Sequence, residues 1–233
     1  MDRPAQVHSN EYVLPASQTW WARSGKPLAD FILAAILLVL LLPLLALAGL
    51  VHWVGNPGPF FFTQKRCGRN GRLFSVVKLR TMRSGRRPDP KELVPLHHPE
   101  ITAVGRFLRR LKIDELPQLI NVLKGEMSLI GPRPTLPDQV EAYDDFRRQR
   151  LLVTPGLTGL AQAYSSAAAS WDERILYDIA YVRRCSLLLD LRILFRTFFV
   201  VVASEERTCQ PFRRSPFSAV VPAPPGFDSP QGL

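Results

Sequence analysis

Residues 31–64 carry no formally charged side chain, and residues 31–50 (FILAAILLVLLLPLLALAGL) are almost wholly aliphatic. About 20 such residues in a helix reach across the hydrocarbon core of a bilayer, so counting alone gives one transmembrane span. Two features argue for a different path. Pro43 lies inside the run, where a proline removes a backbone hydrogen bond and kinks a helix. Basic residues stand on both flanks, Arg23 and Lys26 before and Lys65, Arg66, Arg69 and Arg72 after. The preference of such residues for the cytoplasmic side draws both flanks to the same face. Together they predict a bent, re-entrant membrane helix over residues 26–54, broken at Pro43. It follows a flexible arm at 1–25 whose Trp20-Trp21 pair suits a membrane–water interface. The run begins too late for a secretory signal, and no small-residue cleavage site follows it.

The charge balance narrows the choice of partners. Lys and Arg exceed Asp and Glu by 10. A surplus of this size points to an anionic partner: nucleic acid, lipid headgroups or a phosphorylated substrate. Zinc-finger spacing, RNA-binding signatures and basic–aromatic stripes are all missing, so no nucleic acid is expected. The three cysteines (Cys67, Cys185, Cys209) are odd in number and far apart, which fits a reducing compartment without a disulfide framework. The adjacent His97-His98 sit in a proline-rich loop over residues 84–100 and read as solvated rather than metal-bound.

The most concentrated chemistry lies in residues 101–134, ITAVGRFLRRLKIDELPQLINVLKGEMSLIGPRP. Leu116, Leu119, Ile120 and Leu123 recur at the three-and-four spacing of a buried helix face, with Asp114-Glu115 where that helix begins and Pro117 in its first turn. Helix capping is the commoner use of such acids, Asp114 as N-cap and Glu115 near the positive helix end. The alternative takes account of the arginines around them: Arg106, Arg109 and Arg110 before, Arg133 between two prolines after. Guanidinium groups at a helix N-terminus make an anion site, and carboxylates among them suit a divalent cation or a nucleophile beside bound phosphate.

This stretch closely resembles the core of the bacterial sugar transferases, the monotopic polyprenyl-phosphate phosphoglycosyl transferases. The shared elements are the GRFLR segment at 105–109, the DELPQL block at 114–119 and the KGEMSLIGPRP block at 124–134, in the same order. Linked motifs at matched spacing are far more specific than any one of them. Upstream, residues 62–82 follow the family's F-x-Q-x-R-x-G-x-x-G-x-x-F-x-x-x-K pattern, with Lys78, Arg80 and Met82 in its last positions. Downstream, Pro155, Gly156, Thr158, Gly159 and Gln162 match a P-G-(I/L)-T-G-L-W-Q block in which Ala161 stands for the tryptophan. In the membrane run, Leu42 stands where the family has the serine of a Ser-Pro break.

The resemblance implies a reaction. Asp114 would attack the sugar-bearing phosphate of a UDP-sugar, expelling UMP. A polyprenyl phosphate such as undecaprenyl phosphate would then take the phosphosugar from the enzyme and so start a lipid-linked glycan, as in exopolysaccharide biosynthesis. Asp114 and Glu115 would be catalytic, with Glu115 also the ligand of Mg²⁺. Lys78, Arg80, Arg109 and Arg133 would bind phosphate or nucleotide. The expected setting is the bacterial inner membrane with the active site facing the cytoplasm, and a homodimer is among the assemblies expected.

Residues 138–152 alternate acid and base and read as a solvated helix face. The run at 177–203 is interrupted by Asp190, Arg192 and Arg196, so it is expected to lie at the interface or on the core rather than to span. The expected architecture is mainly α with a small β-hairpin at residues 63–82, a re-entrant membrane helix and interfacial amphipathic helices around a cytoplasmic catalytic core. Residues 55–203 make that core, residues 204–233 a disordered tail, and the whole resembles the minimal catalytic form of the family. The competing readings are a catalytically inactive relative and a single-pass basic membrane adaptor.

Overall fold

A computed structural model describes residues 19–55, 59–82, 98–166, 169–203 and 211–221. The chain is mostly helical, with two small pairs of strands. Helix α1 (Lys26–Gly55) is preceded by one π-turn and contains Pro43. By length and composition it is the one candidate membrane span among the described residues, and most of its side chains face outward, Leu40, Leu42 and Leu47 among them. An apolar surface of this extent needs an apolar surrounding, and the inner stripe of Ala34, Leu38, Leu41, Leu45 and Ala48 packs on the rest of the protein.

The hairpin expected from the Arg-Asn-Gly-Arg stretch is formed by β1 (Phe61–Cys67) and β2 (Leu73–Leu79), antiparallel from Phe61 opposite Leu79 to Cys67 opposite Leu73. Asn70 and Gly71 take the positive φ that closes its turn, 56° and 75°. These are two of the residue types that tolerate that region. A second pair is not foreseen by the motifs. Strands β3 (Ser128–Ile130) and β4 (Gly156–Thr158) run parallel. Gly131 and Gly156 let the two backbones touch, since a Cβ on Gly156 would lie 2.0 Å from the Gly131 nitrogen.

Short helices fill the space between. These are α2 (Ala103–Arg110), α3 (Leu119–Leu123), α4 (Pro137–Glu141), α5 (Asp145–Arg148) and α6 (Leu160–Tyr164). Helix α7 (Trp171–Arg184) is the central buried rod, capped by Ser170, whose hydroxyl accepts from the Glu173 N–H. Helix α8 (Leu187–Ala203) buries Leu189, Asp190, Ile193 and Val200 and turns Leu188, Leu191, Leu194, Phe195 and Phe198 outward. That two-sided pattern is the one expected of an interfacial helix.

Two expectations are corrected. Residues 138–152 are not one solvated face: Tyr143, Gln149, Arg150 and Leu151 are buried, because Arg150 finds an acid partner in the core. Within the expected disordered tail, residues 211–221 pack on α7. Phe212, Phe217 and Val221 enter the main core, Glu173 accepts from the Phe212 N–H at 2.6 Å, and Arg183 donates to the Val220 carbonyl at 2.9 Å. Apolar residues recurring every four or five positions supply there the burial that composition alone obscured. The rest of the tail, the first 18 residues and His97 lie outside the described residues.

One polar knot joins α1 to this frame. Asp190 on α8 accepts from Lys26 Nζ at 3.0 Å, Trp21 Nε1 at 3.0 Å and the Tyr181 hydroxyl at 2.8 Å. Asp30, one turn along α1 from Lys26, accepts from the Leu129 N–H of β3 at 3.2 Å. Gly25 lies under the two tryptophan rings, where a Cβ would stand 2.8 Å from each. Removing one side of a buried pair strands the other. Asp190→Ala is therefore expected to lower unfolding stability by about 3 kcal/mol, measured by denaturant titration in detergent, and Lys26→Met in the same chain to restore most of it.

Candidate active site

Four elements converge on the acid pair. The residues Asp114-Glu115 do not start a regular α-helix. They sit in a 3₁₀ turn (Ile113–Gln118) entered through Lys112, which takes a left-handed φ of 57°, and α3 comes directly after it. The capping reading fails for Asp114. The turn has no side-chain cap, and Asp114 is 8% exposed with a buried Oδ1 that has no hydrogen-bond partner. The helix face also differs from the periodic reading. Leu119, Asn121 and Val122 are the buried residues of α3 and Ile120 is 37% exposed, because the tighter 3₁₀ turn rotates the helix that grows from it.

Glu115 is the hub. Its Oε1 accepts from Lys78 Nζ and from Arg133 Nη2, each at 2.9 Å. Lys78 reaches it from the face of β2 that also carries Phe74 and Val76. Asn121 holds the exposed edge of that strand like a further strand would. Its Nδ2 donates to the Ser75 carbonyl at 2.8 Å and its Oδ1 accepts from the Val77 N–H at 3.3 Å. Arg133 comes from the loop after β3.

Arg109 stands on the other side of the pair and donates through Nε to Thr81 Oγ1 at 2.8 Å. Its helix α2 reaches that position because Gly105 lets the backbone approach closely; a Cβ there would lie 2.1 Å from the Thr81 carbonyl oxygen. Thr102 caps the same helix, accepting from the Gly105 N–H at 2.9 Å. Arg80 comes after the end of β2, two residues beyond Lys78, with its N–H on the Phe60 carbonyl at 2.9 Å. Arg106 and Arg110 point to the exposed side of α2.

The electrostatics separate the two carboxyls. Burial disfavours the charged form of both. For Glu115 the Arg133 and Lys78 charges outweigh that cost and hold its carboxyl well below the usual range. For Asp114, burial and then the Glu115 charge raise the carboxyl above its usual value, against the weaker pull of Lys78, Arg109 and Lys112. Burial lowers Lys78 while Glu115 opposes the shift, and Glu115 raises Arg133.

One cation near the site, Arg66, reads in the sequence as a basic flank of the apolar run and not as a site residue. Arg66 donates to the Pro134 carbonyl at 3.2 Å and to Gln64 Oε1 at 2.7 Å. Burial, and after it the charge of Arg133, lowers it to about 10. Its signal is the Q-x-R-x-G part of the upstream motif.

The family model for bacterial sugar transferases matches residues 21–204, nearly the whole described chain. The chain belongs to that family. An uncharacterised sugar transferase of Bacillus subtilis is 44% identical over 147 residues, 63% of this chain and 72% of that protein. The UDP-glucose:undecaprenyl-phosphate glucose-1-phosphate transferase of Caulobacter vibrioides is 39% identical over 208 residues, 78% of this chain and 76% of that protein. The undecaprenyl-phosphate galactose phosphotransferase of Salmonella typhimurium is 41% identical over 160 residues, 62% of this chain but 34% of its own length.

The opposite environments of the two acids in this sugar transferase predict opposite stability effects. A raised carboxyl adds stability that is present at low pH and lost as pH rises through its folded value, so ionised Asp114 weakens the fold at neutral pH. Asp114→Asn is expected to raise Tm at pH 7 in metal-free buffer. A depressed carboxyl does the reverse, adding stability above its ordinary value that is lost on acidification. Glu115→Gln is expected to cost about 2–3 kcal/mol, less than the roughly 3–5 kcal/mol of a fully enclosed pair because water still reaches Arg133. Thermal unfolding of both variants at pH 3 and pH 7, on either side of the ordinary carboxyl values, checks the signs.

Proposed function

We propose that the protein transfers a phosphosugar from a UDP-sugar to a polyprenyl phosphate, undecaprenyl phosphate in the first instance, and so begins a lipid-linked glycan. The observation that carries this reading is the buried Asp114 carboxylate with an unpartnered oxygen, set beside Lys78, Arg109 and the Arg133–Glu115 pair. A carboxylate denied hydrogen bonds is a better nucleophile than a solvated one, and the cations around it offset the repulsion between carboxylate and phosphate.

In this reading Asp114 attacks the sugar-bearing phosphorus. The bond to the bridging oxygen breaks, UMP departs with the electron pair, and a phosphosugar–aspartyl ester remains. A phosphate oxygen of the polyprenyl phosphate then attacks the same phosphorus, restoring the Asp114 carboxylate and giving the polyprenyl diphosphosugar. Lys78, Arg109 and Arg133 take up phosphate charge, Arg133 through its planar fork, and Arg80 is proposed to join them. The adjacent carboxylates fit Mg²⁺, which uses one or two of them together with substrate phosphates and water. Glu115 is the residue that would hold it, and the ion would supply charge neutralisation between the reacting groups.

The relatives' names support the donor and acceptor classes: the Caulobacter protein is named for UDP-glucose and undecaprenyl phosphate, an Aeromonas hydrophila relative for N-acetylgalactosamine. Exposed apolar α1 and α8 support a place at the membrane. Helix α1 runs as one helix through Pro43; a re-entrant path bent there would leave the site on the cytoplasmic face of the inner membrane, and a homodimer is part of the same proposal.

The deciding experiment incubates purified protein with undecaprenyl phosphate, Mg²⁺ and a panel of UDP-sugars and follows UMP. One donor should release UMP, and Asp114→Asn should reduce the rate at least about 10³-fold while the protein stays membrane-bound. Full activity in that variant would remove Asp114 as nucleophile, and no release from any donor would favour an inactive relative. Topology is read separately. Cysteines introduced at Ser24 and Lys65, on the two flanks of α1, should both label from the cytoplasmic side alone. Labelling from opposite sides would give a single span and favour the adaptor reading.

A further inference from the structure

Arg150 is 3% exposed, far from water for a guanidinium, and it faces the back of the loop that carries Arg133. Its Nη2 donates to the Arg133 carbonyl at 3.0 Å and to Asp178 Oδ2 at 2.5 Å. Its Nη1 donates to Thr135 Oγ1 at 2.8 Å and to the Tyr143 hydroxyl at 2.7 Å. The Trp171 ring covers the guanidinium at 5.1 Å, and the same ring's Nε1 donates to the Tyr143 hydroxyl at 3.1 Å. Asp178 comes from the middle of α7, where residues 175–182 are all buried.

Other partners hold the loop at its remaining positions: the Pro132 carbonyl accepts from the Gly156 N–H at 2.8 Å and the Pro134 carbonyl from Arg66 Nη1 at 3.2 Å. Pro132 and Pro134 have no N–H to give, Gly131 N–H bonds to the Thr158 carbonyl at 2.8 Å, and the Thr135 carbonyl accepts from Cys67 N–H at 2.8 Å. The void lined by residues 132–135, Cys67 and Arg150 is about 10 Å³, room for one water. Arg150 adds the bonds to the Arg133 carbonyl and the Thr135 hydroxyl, one on each side of Pro134.

We propose that Arg150, braced by Asp178, is a positioning residue for the transfer reaction. It grips the Arg133 carbonyl and the Thr135 hydroxyl and thereby sets the Arg133 guanidinium against Glu115 and the incoming phosphate. The inference rests on the reaction proposed above for its catalytic consequence, but its structural content does not. An ion pair this deep adds little net stability over apolar residues of the same shape, so geometry is what it supplies. Four acceptors on two nitrogens need the planar fork; an ammonium has one reach and cannot meet them together.

The test pairs Arg150→Lys with Arg133→Ala. Arg150→Lys keeps a cation for Asp178 and is expected to stay folded, with exchange of backbone amides in peptides spanning residues 131–136 accelerated and those of α7 unchanged. Turnover, read as UMP release, should fall roughly 100-fold, the order expected when a reacting group is displaced by about 1 Å. In the Arg133→Ala background the same change should cost little more, because the group that Arg150 positions is already gone.

Unchanged exchange in the loop of a folded Arg150→Lys protein would overturn the inference whatever the reaction. So would a full 100-fold loss on top of Arg133→Ala, since Arg150 would then act by another route. If Arg150→Lys fails to fold, Thr135→Val, which removes one of the same grips without touching the buried charge, takes its place. It should loosen the loop and lower turnover less steeply, and unchanged exchange there overturns the inference too. A wild-type protein that releases no UMP, yet whose loop loosens in Arg150→Lys, would sink the proposed reaction and leave the positioning intact.

Discussion

The Glu115 carboxylate, shared between Lys78 and Arg133, is the contact at which the hairpin, the acid-bearing turn and the loop after β3 meet. Every element around it is arranged to deliver one partner. The hairpin turn and the Asn121 brace fix the strand that brings Lys78; Gly105 and Thr102 bring α2 close enough for Arg109 to bond Thr81; the β3–β4 pair launches Arg133. Charge neutralisation at Glu115 has a consequence next door. The cations satisfied by Glu115 are not bonded to Asp114, so the neighbouring acid stays desolvated and under-partnered. Two identical functional groups one residue apart thus acquire different properties from their surroundings alone.

This arrangement carries a stability cost concentrated where the chemistry is expected. A carboxylate without hydrogen bonds in a buried place is what a fold selected for stability alone would lack. Capping would have made Asp114 a stabilising residue. In the 3₁₀ turn it has no such bond, and a local rule broken at one residue inside an otherwise consistent fold is the usual mark of a functional position.

Much of this is legible in the sequence because short-range chemistry writes itself into short motifs. The hairpin comes from Arg-Asn-Gly-Arg between apolar runs, the long outward-facing helix α1 from uninterrupted apolarity, and the cluster of Lys78, Arg109, Asp114, Glu115 and Arg133 from linked motifs. The hidden part depends on distance along the chain. Arg150 and Asp178 are 28 residues apart, and nothing local in an alternating acid–base stretch tells a solvated arginine from one whose partner lies in the core. Lys26 and Asp190 are 164 residues apart, and in its own context the first reads as a basic flank and the second as a charge interrupting an apolar segment. The rotation of α3 that exposes Ile120 is hidden for another reason: counting by helical period takes an α-helix from Asp114 onward, and Pro117 sits in a tighter turn.

The residue at 161, alanine where the family likeness calls for tryptophan, lies in a core filled by long-range packing. Ala161 is 5% exposed and lies in the core cluster that receives Phe212, Phe217 and Val221 from the C-terminal segment. The Tyr164 ring, three residues on, packs edge-on against Phe217 at 5.1 Å and carries the Arg196 guanidinium over its face at 4.0 Å. Packing density in a core is a shared property, so a small residue at one position is compatible with aromatic side chains delivered from elsewhere. Position 161 therefore takes part in how α6 sits against α7, α8 and the segment at 211–221.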